Sequence, residues 1–561
     1  MANYTRDTPK EVQLPVRLPL VGVLNQRSDS GGIDSRLING YVEKGQDGEI
    51  RVTKRQGYSL FPGIGPGTSS GGNGMASTSL GVLSVFGDGF YNGSGALFAT
   101  HPSLGGMTHI LEVSTSASGR AAFLNCGSAC FFYNGSTFKQ ILPEGTARGP
   151  LTASITNGSS IVILASTAEL SKYSDVTGTG IPANTTIASV DSSTQITLSQ
   201  NATATNASAA LSFVMAGPPV GLIARSQILN RSVYVMTSGG TIAGADPDDP
   251  LAWNPLNRIV AYATLTTATQ FSRQLAYLFA FKEDGYEVFR DDGNSPGSPL
   301  ARVEGMQGDI GSLAFNTLQE VDDRIIWISR SRTAAPSVWM LTGGKAREIA
   351  TPAVKRILMA VLEGQVTTFA FPMEGHLFFG LHSTVSDFTL IYDITSDFWS
   401  QWKGAEGVYL PFSGAAVSIA LSRPTSGGGS SVVFSQNALF QHESNGKVYQ
   451  FQVENVTDDG SPFDMDIYPP EFDANMMTSK YLSKMYVSGD QQTGSILKVR
   501  VNDNNQQPGS WTNWREFDLS SARPRIDECG SFYKRSFHFR HSSATRCRIE
   551  SVEMDLQPGT L

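Results

Sequence analysis

The chain has 561 residues and a formal net charge of -8, and it contains no run of lysines or arginines. It therefore lacks the clustered positive charge with which proteins grip nucleic acid through its phosphates. Its apolar content of 40% excludes global disorder, and 57 glycines among many Ser, Thr, Asn and aromatic residues are typical of an all-β protein with many turns.

The N-terminal sixteen residues have no apolar core of the kind found in signal peptides, so we expect no secretory leader. No stretch approaches the roughly 18 apolar residues that span a bilayer, so we expect no membrane insertion. Four cysteines are too few for a disulfide framework in a chain of this length.

The segment VTKRQGYSLFPGIGPGTSSGGNGM (52–75) has the glycine content of a phosphate-binding loop. A P-loop requires Gly-x-x-x-x-Gly-Lys-Ser/Thr between a strand and a helix. The stretch 67–75 contains no lysine, and no helical periodicity follows it. We interpret it as a flexible connection into the first structural repeat.

Seven later segments share one pattern, in which an apolar strand meets a turn rich in Gly, Asp or Ser and leads into an aromatic strand. They are residues 83–95, 121–141, 231–244, 277–294, 324–349, 376–404 and 431–453. Each pattern predicts a β-hairpin. Hairpins repeated at this spacing predict the blades of a β-propeller, with six to eight blades.

Residues 148–216 interrupt the repeats, because they are rich in Ser, Thr and Asn and almost free of charge. Alternating segments such as TTIASV and TQITLSQ predict strands. We expect a small β module inserted between two blades, the alternative being one oversized connection. Further on, TPAVKRILMAVLEG predicts a helix with Thr351 as N-cap, Pro352 in the first turn and Gly364 at its end.

After residue 454 the sequence changes to alternating strands with polar turns, which predict a C-terminal β-sandwich-like domain. The expected organisation is an N-terminal segment that joins the platform, a propeller in two parts, the insert and this last domain. In residue numbers these are 1–62 (N-terminal segment), 63–147 and 217–453 (propeller), 148–216 (insert) and 454–561 (C-terminal domain).

Candidate metal ligands cluster near the C-terminus: Cys529, His538, His541 and Cys547. Their spacing matches no standard zinc pattern, and in a strand His538 and His541 face opposite sides, so we expect ordinary strand residues and no metal. Cys126 and Cys130 flank a predicted turn, where two packed thiols are expected and a disulfide or redox pair is the alternative. No acid–base pair or nucleophile is recognisable, so we expect neither enzymatic activity nor a cofactor.

Five basic residues stand close together near the C-terminus: Lys534, Arg535, Arg540, Arg546 and Arg548. They are the candidates for contact with nucleic acid in the lumen of an assembly. The competing interpretation is that they are solvent-facing residues of alternating strands.

Several motifs resemble one protein family. They are LPVRLPLVGVLNQRSD and DSRLINGYVEK (14–44), KRQGYSLFPG (54–63), the long segment 308–358 and LIYDITSDFWSQW (390–402). The chain resembles the packaged-DNA stabilisation proteins of short-tailed bacteriophages, also called tail hub or nozzle proteins, over most of its length apart from 148–216. Gln56 stands where proline is common in the family.

The resemblance implies a structural protein of the virion tail, assembled in the host cytoplasm as a homo-oligomeric ring, a hexamer. Such a ring lies below the portal and the head-to-tail adaptor, extends the channel for passing double-stranded DNA, and retains the packaged genome. It also carries tail fibres or spikes and a distal needle or plug. The alternative is a tail-associated propeller that binds or hydrolyses host glycans, because residues 501–517 have some likeness to the Asp-box hairpin of sialidases.

Overall fold

A computed structural model of the chain describes residues 15–24, 35–45, 48–116, 119–314, 316–330, 334–361, 365–424, 430–507 and 509–558, with the backbone alone for 417–424 and 430–437. Strands and short turns alternate through this part of the chain, so the all-β prediction is confirmed. The first five strands are β1 (Val16–Arg17), β2 (Arg36–Ile38), β3 (Gly40–Lys44), β4 (Ile50–Lys54) and β5 (Tyr58–Phe61).

Two small antiparallel sheets follow, each made of four strands in chain order. Sheet one contains β6 (Gly72–Thr78), β7 (Gly81–Phe86), β8 (Gly89–Tyr91) and β9 (Leu97–Thr100). After a 3-10 turn, η1 (Pro102–Gly105), sheet two contains β10 (His109–Thr115), β11 (Gly119–Asn125), β12 (Cys130–Tyr133) and β13 (Phe138–Ile141).

The insert then forms a closed barrel of six strands. They are β14 (Ala147–Ile155), β15 (Ile161–Leu164), β16 (Asp175–Gly178), β17 (Thr185–Val190), β18 (Gln195–Leu198) and β19 (Asn206–Val214). Buried and exposed residues alternate along β15 and β19, and the inward apolar side chains form a core of their own. Because a closed barrel leaves no strand edge unpaired, it suits a module inserted in the connection between two sheets.

Sheets three, four and five continue the series of small sheets. Sheet three contains β20 (Leu222–Leu229), β21 (Ser232–Thr237), β22 (Thr241–Asp246) and β23 (Asp249–Val260). Sheet four contains β24 (Ala268–Gln274), β25 (Tyr277–Lys282), β26 (Gly285–Asp291) and β27 (Leu300–Arg302). Sheet five contains β28 (Gly311–Ser312), β29 (Leu318–Val321), β30 (Arg324–Arg330), β31 (Ser337–Thr342) and β32 (Lys345–Glu348).

The predicted helix, α1 (Pro352–Met359), follows sheet five. Thr351 caps it by accepting a hydrogen bond from the Val354 backbone amide, as the sequence predicts. The helix ends at Met359, earlier than expected, and Gly364 lies outside the described residues. Val354 and Leu358 are buried between sheets five and six. No helix in the described ranges is long and apolar enough to cross a membrane.

Sheet six begins with β33 (Thr367–Met373), β34 (His376–Ser383), β35 (Phe388–Asp393) and β36 (Phe398–Gln401). Sheet seven contains β37 (Phe412–Pro424), β38 (Ser430–His442) and β39 (Val448–Phe451), and it takes its fourth strand, β5, from the N-terminal part of the chain. Phe61 pairs with Val448 and Tyr58 with Phe451 in this strand pair. The N-terminal segment therefore closes the last sheet.

The seven sheets form a closed ring. The first long strand of each sheet contacts that of the next, in the order β6, β10, β20, β24, β29, β33 and β37, and β37 contacts β6 again. Each of the seven predicted hairpin units lies in one of these sheets. Seven apolar clusters fill the spaces between neighbouring sheets, so the core of the ring consists of face-to-face sheet contacts. This is the arrangement of a β-propeller.

Side-chain amides join neighbouring sheets at six of the seven boundaries. Five donate to a backbone carbonyl of the next sheet: Asn125 to Ile223, Gln227 to Phe271, Gln270 to Ala314, Gln319 to Thr368 and Gln441 to Val85. The sixth, Asn73 of sheet one, donates to Leu104 in η1, the turn that leads to sheet two. Between sheets six and seven, His382 Nε2 instead lies 3.4 Å from Glu443 Oε2. We call these six bonds the amide latches; each gives a buried amide side chain a backbone acceptor.

The remaining strands complete a β-sandwich with the N-terminal strands. They are β40 (Met465–Tyr468), β41 (Lys480–Gly489), β42 (Ile496–Asn502), β43 (Arg515–Asp518), β44 (Arg525–Phe532), β45 (Ser536–His541) and β46 (Arg548–Pro558). One sheet has the order β3-β4-β46-β41-β44, with β1 beside β46. The other continues sheet six through β2, because Ile38 pairs in parallel with Gln401 of β36. The sandwich thus shares a nine-stranded sheet with the ring.

Candidate functional site

The five basic residues proposed as nucleic-acid contacts all lie in the C-terminal sandwich. Lys534 and Arg535 occupy the turn between β44 and β45, and Arg540 lies within β45. Arg546 precedes β46, and Arg548 is its first residue. These side chains were proposed as a site because positive charge attracts phosphate. A carboxylate that already pairs with one of them reduces its attraction for phosphate.

Arg535 is buried and fully engaged in the structure of its turn. Its Nε and Nη2 donate to the two carboxylate oxygens of Asp503 at 2.7 and 2.8 Å. Its Nη1 donates to the Cys529 carbonyl oxygen at 2.6 Å, and the guanidinium lies 4.4 Å from the centre of the Phe532 ring. A guanidinium held in this way supports the fold and presents no donor to a passing phosphate.

Arg540 belongs to a half-buried charge network on the outer face of β45. Its Nε donates to Asp466 Oδ1 at 2.7 Å, and His538 Nε2 lies 2.7 Å from the same oxygen. Burial alone would raise the pKa of Asp466, but the bonds from His538 and Arg540 outweigh it and hold that pKa below its usual range. His538 Nδ1 accepts from Arg500, and burial lowers the pKa of His538, so this imidazole is neutral.

Lys534 and Arg548 are also paired with carboxylates. Lys534 forms an ion pair with Glu471. Arg548 lies 3.1 Å from Asp490, 3.8 Å from Glu43 and 3.7 Å from Glu550. Arg546 donates to the Val453 carbonyl, and among the described residues it is the one member of the five without a carboxylate partner. The five side chains are thus distributed over several turns and strands, and four are locally compensated.

Arg546 and Arg548 border a cleft of about 150 Å³ between the sandwich and the ring. Glu43 and Glu374 also line it, so positive and negative side chains face each other across it. Behind the cleft, Lys54 is buried with its Nζ 3.0 Å from the Ser543 carbonyl, and burial lowers its pKa to about 8. Burial and the nearby Lys54 lower the pKa of His541 to about 3, and burial raises that of Cys547 to about 12.

The junction behind the cleft is centred on Arg55, whose guanidinium is fully buried. Its two terminal nitrogens donate to the Asp458 carboxylate at 2.8 and 2.6 Å and to the backbone carbonyls of Gln56 and Lys403. Its Nε donates to Asn39 Oδ1 at 3.0 Å. All five N–H donors are therefore satisfied, which is the condition for burying a charge without a large penalty.

The motif KRQG thus forms a structural junction. Gly57 is required there, because a Cβ at this position would lie 2.0 Å from the Thr457 carbonyl oxygen. The glycine-rich stretch that follows was interpreted as flexible, and this is wrong for Gly72–Met75, which belong to β6. At Gly74 a Cβ would lie 2.0 Å from the Thr108 carbonyl oxygen, so glycine permits close packing of the backbone.

The four candidate metal ligands do not converge on one point. His538 lies on the outer face of β45, whereas His541 contacts Ser495 and Lys54 on the other face. Cys547 is beside Lys54, and Cys529 accepts from Arg515. Within the ranges that the structure describes, no group of three or more His, Cys, Asp or Glu could hold a metal ion. Cys126 and Cys130 are free, buried thiols, and burial raises the pKa of Cys126 to about 11.

Sequence reasoning missed Asp458 and the amide latches. The motif that contains Arg55 was noted for its resemblance to a family, but the partner of Arg55 lies 403 positions away, and no local pattern connects them. Four latch residues lie on strands that precede the predicted hairpin units, and only Asn125 and Gln441 lie within a unit. An isolated Gln or Asn in a strand was the available signal. A polar residue at a buried strand position predicts a hydrogen bond but does not identify its acceptor.

Comparison with known proteins gives one family match. Residues 157–417 match the family model described as "Bacteriophage P22 Gp10, beta-propeller", which is a little under half of the chain. The matched range runs from the barrel through sheets three to six into β37. It includes most of the insert, which the resemblance drawn from the sequence had excluded. None of the curated proteins compared with the chain is significantly similar to it.

Solved structures similar to the chain are remote. The computationally designed Ika8 protein is 12% identical, with 71% of this chain and 100% of that chain covered and a TM-score of 0.32. The N-terminal domain of Nup159 is 8% identical, with 75% of this chain and 100% of that chain covered and a TM-score of 0.34. BBS1N, solved in complex with ARL6DN, is 10% identical, with 71% of this chain and 98% of that chain covered and a TM-score of 0.34.

Proposed function

We propose that the chain, whose residues 157–417 match the family model described as "Bacteriophage P22 Gp10, beta-propeller", is a structural protein that stabilises packaged DNA and forms the tail nozzle of a short-tailed bacteriophage. In this role, copies of the chain form a ring, a hexamer, below the portal and the head-to-tail adaptor. The ring extends the DNA channel, retains the packaged genome until ejection, and carries fibres or spikes and a distal plug. The protein acts without enzymatic chemistry and belongs to the virion tail.

The observation that carries the proposal is the family match, which spans five of the six barrel strands and four of the seven ring sheets, together with the start of a fifth sheet. The charge distribution supports it. A wall past which DNA slides must not bind phosphates, and the chain is acidic, with four of its five clustered basic side chains paired to carboxylates. Retention of DNA by such a wall is steric.

The test is a phage that encodes the chain with a suppressible stop codon in its gene. Heads from the non-permissive infection are expected to package DNA and then lose it, measured as genome copies per head after nuclease treatment. Restoring the full chain should restore retention. Stable DNA-filled heads with an unchanged tail in two-dimensional class averages would overturn the proposal, as would release of sugars from host polysaccharide by the purified protein.

A further inference from the structure

The connection between sheets three and four presents apolar side chains to solvent. Leu265 is 102% exposed, Tyr262 67% and Val260 44%, all within six residues. We call these three side chains the loop surface. Exposed apolar residues occur singly on most proteins, but a cluster of large ones marks a contact site.

The loop surface is held in place by charged residues of sheet four. Glu287 accepts from the Ala263 backbone amide at 2.6 Å, and Lys282 donates to the Thr264 carbonyl at 2.6 Å. The Arg302 guanidinium lies 3.8 Å from the centre of the Tyr262 ring and 2.7 Å from Glu287. A loop fixed by two buried side chains and the half-buried Arg302 presents its apolar residues in one conformation, which lowers the entropy cost of binding.

A second group of exposed apolar residues lies on the outer strands of sheets seven and one. Leu60 on β5 is 41% exposed, and Leu97 and Phe98 on β9 are 54% and 37% exposed. We call these three side chains the edge surface. Both strands are the last in their sheets, so their outer edges are not covered by a further strand of the same sheet.

The two surfaces lie on opposite sides of the ring of sheets. In a closed ring of seven, the boundary between the third and fourth members faces the seventh, and sheet one is its neighbour. Two different contact surfaces on opposite sides suit a heterologous contact, in which each copy binds the next head to tail and the series closes by rotation. A symmetric dimer would need only one of them.

We infer that the loop surface of one copy of this chain packs against the edge surface of the next. The inference rests on the proposed function, because it names the partner and the contact surfaces of the proposed ring. An apolar contact also fits the charge of the chain: copies that each carry a net charge of -8 repel one another, so association has to come from burial of apolar area.

The test uses the full chain with one surface changed at a time. Leu265→Asp changes the loop surface and Leu97→Asp the edge surface, while Leu275→Asp is the control, since Leu275 is 70% exposed in the turn between β24 and β25. Molar mass is measured by light scattering across a concentration series. Wild type and L275D are expected to associate, and each single-surface variant is expected to associate at least about 30-fold more weakly.

Mixing the two variants distinguishes the head-to-tail contact from a symmetric one. L265D keeps its edge surface and L97D keeps its loop surface, so the mixture should form one-to-one pairs that go no further. If the contact is instead a symmetric dimer through the loop surface, L97D forms dimers by itself, and mixing it with L265D does not increase association. That result would overturn the inference. Unchanged thermal unfolding of both variants is required, and is expected because both side chains are largely exposed.

Two further outcomes overturn the inference. One is a wild-type chain that stays monomeric up to about 0.1 mM, which would leave both surfaces to a partner of different sequence. The other is L265D or L97D associating like wild type. Failure of the proposed function would appear separately, as heads that keep their DNA in the absence of the protein, and that measurement does not depend on which surfaces join the copies.

Discussion

Arg55 and Asp458 form a buried bidentate ion pair, with Nη1 to Oδ1 at 2.8 Å and Nη2 to Oδ2 at 2.6 Å, although 403 positions separate them in the sequence. Arg55 follows the last N-terminal strand of the sandwich, and Asp458 lies in the segment that leads from the ring to the rest of the sandwich. The pair therefore fixes the point at which the two parts of the molecule meet. Asn39, which bonds both Arg55 and the Lys403 amide, extends the contact to the end of sheet six.

Replacing one partner of this pair should destabilise the protein strongly. Arg55→Met leaves the Asp458 carboxylate buried without its cation, which costs about 3–5 kcal/mol in comparable cases. The expected result is a marked loss of unfolding free energy in urea. The matched control is Arg120→Met, which removes an exposed ion pair with Glu112 and should cost less than about 1 kcal/mol. Equal effects of the two changes would contradict the assignment of Arg55 to the junction.

Gly57→Ala should also destabilise the junction, because the new methyl group would lie 2.0 Å from the Thr457 carbonyl oxygen. Either the backbone around Gly57 or the 455–459 segment has to move, and the expected loss of unfolding free energy is about 2 kcal/mol or more. Gly106→Ala is the control, since no atom lies within 4 Å of a Cβ there. The measurement is the midpoint of thermal unfolding, and a midpoint for G57A equal to that of G106A would refute the steric argument.

The amide latches should each contribute measurably to the ring. Gln441→Leu removes the donor to the Val85 carbonyl and the acceptor for the Gly74 amide, and leaves both backbone groups unsatisfied. The expected cost is about 1–3 kcal/mol per buried unsatisfied group. Gln491→Leu, which removes one exposed 3.4 Å bond to Ser520, is the control. Hydrogen exchange of the β6 and β7 amides would show whether sheets seven and one separate more readily in Q441L.

Stability should fall between neutral and mildly acidic pH because of His541. Burial and Lys54 lower its pKa to about 3, so the folded protein keeps this imidazole neutral while the unfolded chain binds a proton below about pH 6.5. The unfolded state then binds more protons, and folding stability decreases as the pH falls. One such group accounts for about 2 kcal/mol between pH 7 and pH 5. His541→Gln should reduce the slope of unfolding free energy against pH, and an unchanged slope would exclude His541 as its source.

Duplex DNA should bind the purified protein weakly at near-physiological salt. Not all five basic candidates are suitable for substitution, because Arg535 is buried on Asp503 and changing it would disturb the fold. Lys534→Gln with Arg546→Gln is the better variant, because both side chains are exposed. Filter binding is expected to give the same weak signal for wild type and variant. Micromolar or tighter binding that this variant loses would make the C-terminal sandwich a DNA clamp.

The hairpin units could be predicted from the sequence because each depends on residues close together in the chain. In 277–294, for example, the aromatic strand, the Asp-Gly turn and the second strand are all local, and the structure pairs Phe281 with Tyr286 across that turn. The same holds for the helix start at Thr351, where one cap residue and one proline specify the first turn.

The parts that escaped prediction depend on distant partners. The pattern of Tyr58–Phe61 favours a strand, but nothing in it identifies sheet seven as the sheet that this strand joins. The same applies to β2, whose neighbours are β36 and β40, and to Arg55, whose partner is Asp458. The nucleic-acid candidates were selected by their nearness in sequence, whereas the carboxylates that pair with them come from residues 43, 464–503 and 550.

The strand that closes the ring also sets the order of events during synthesis. Phe61 leaves the ribosome about 390 residues before its partner Val448, which at typical elongation rates is about 20 to 80 s. For that time β5 has no partner strand, and its edges are open to wrong partners. A chain cut short before residue 448 can complete neither sheet seven nor the sandwich, so only chains that extend through β39 acquire the closed ring.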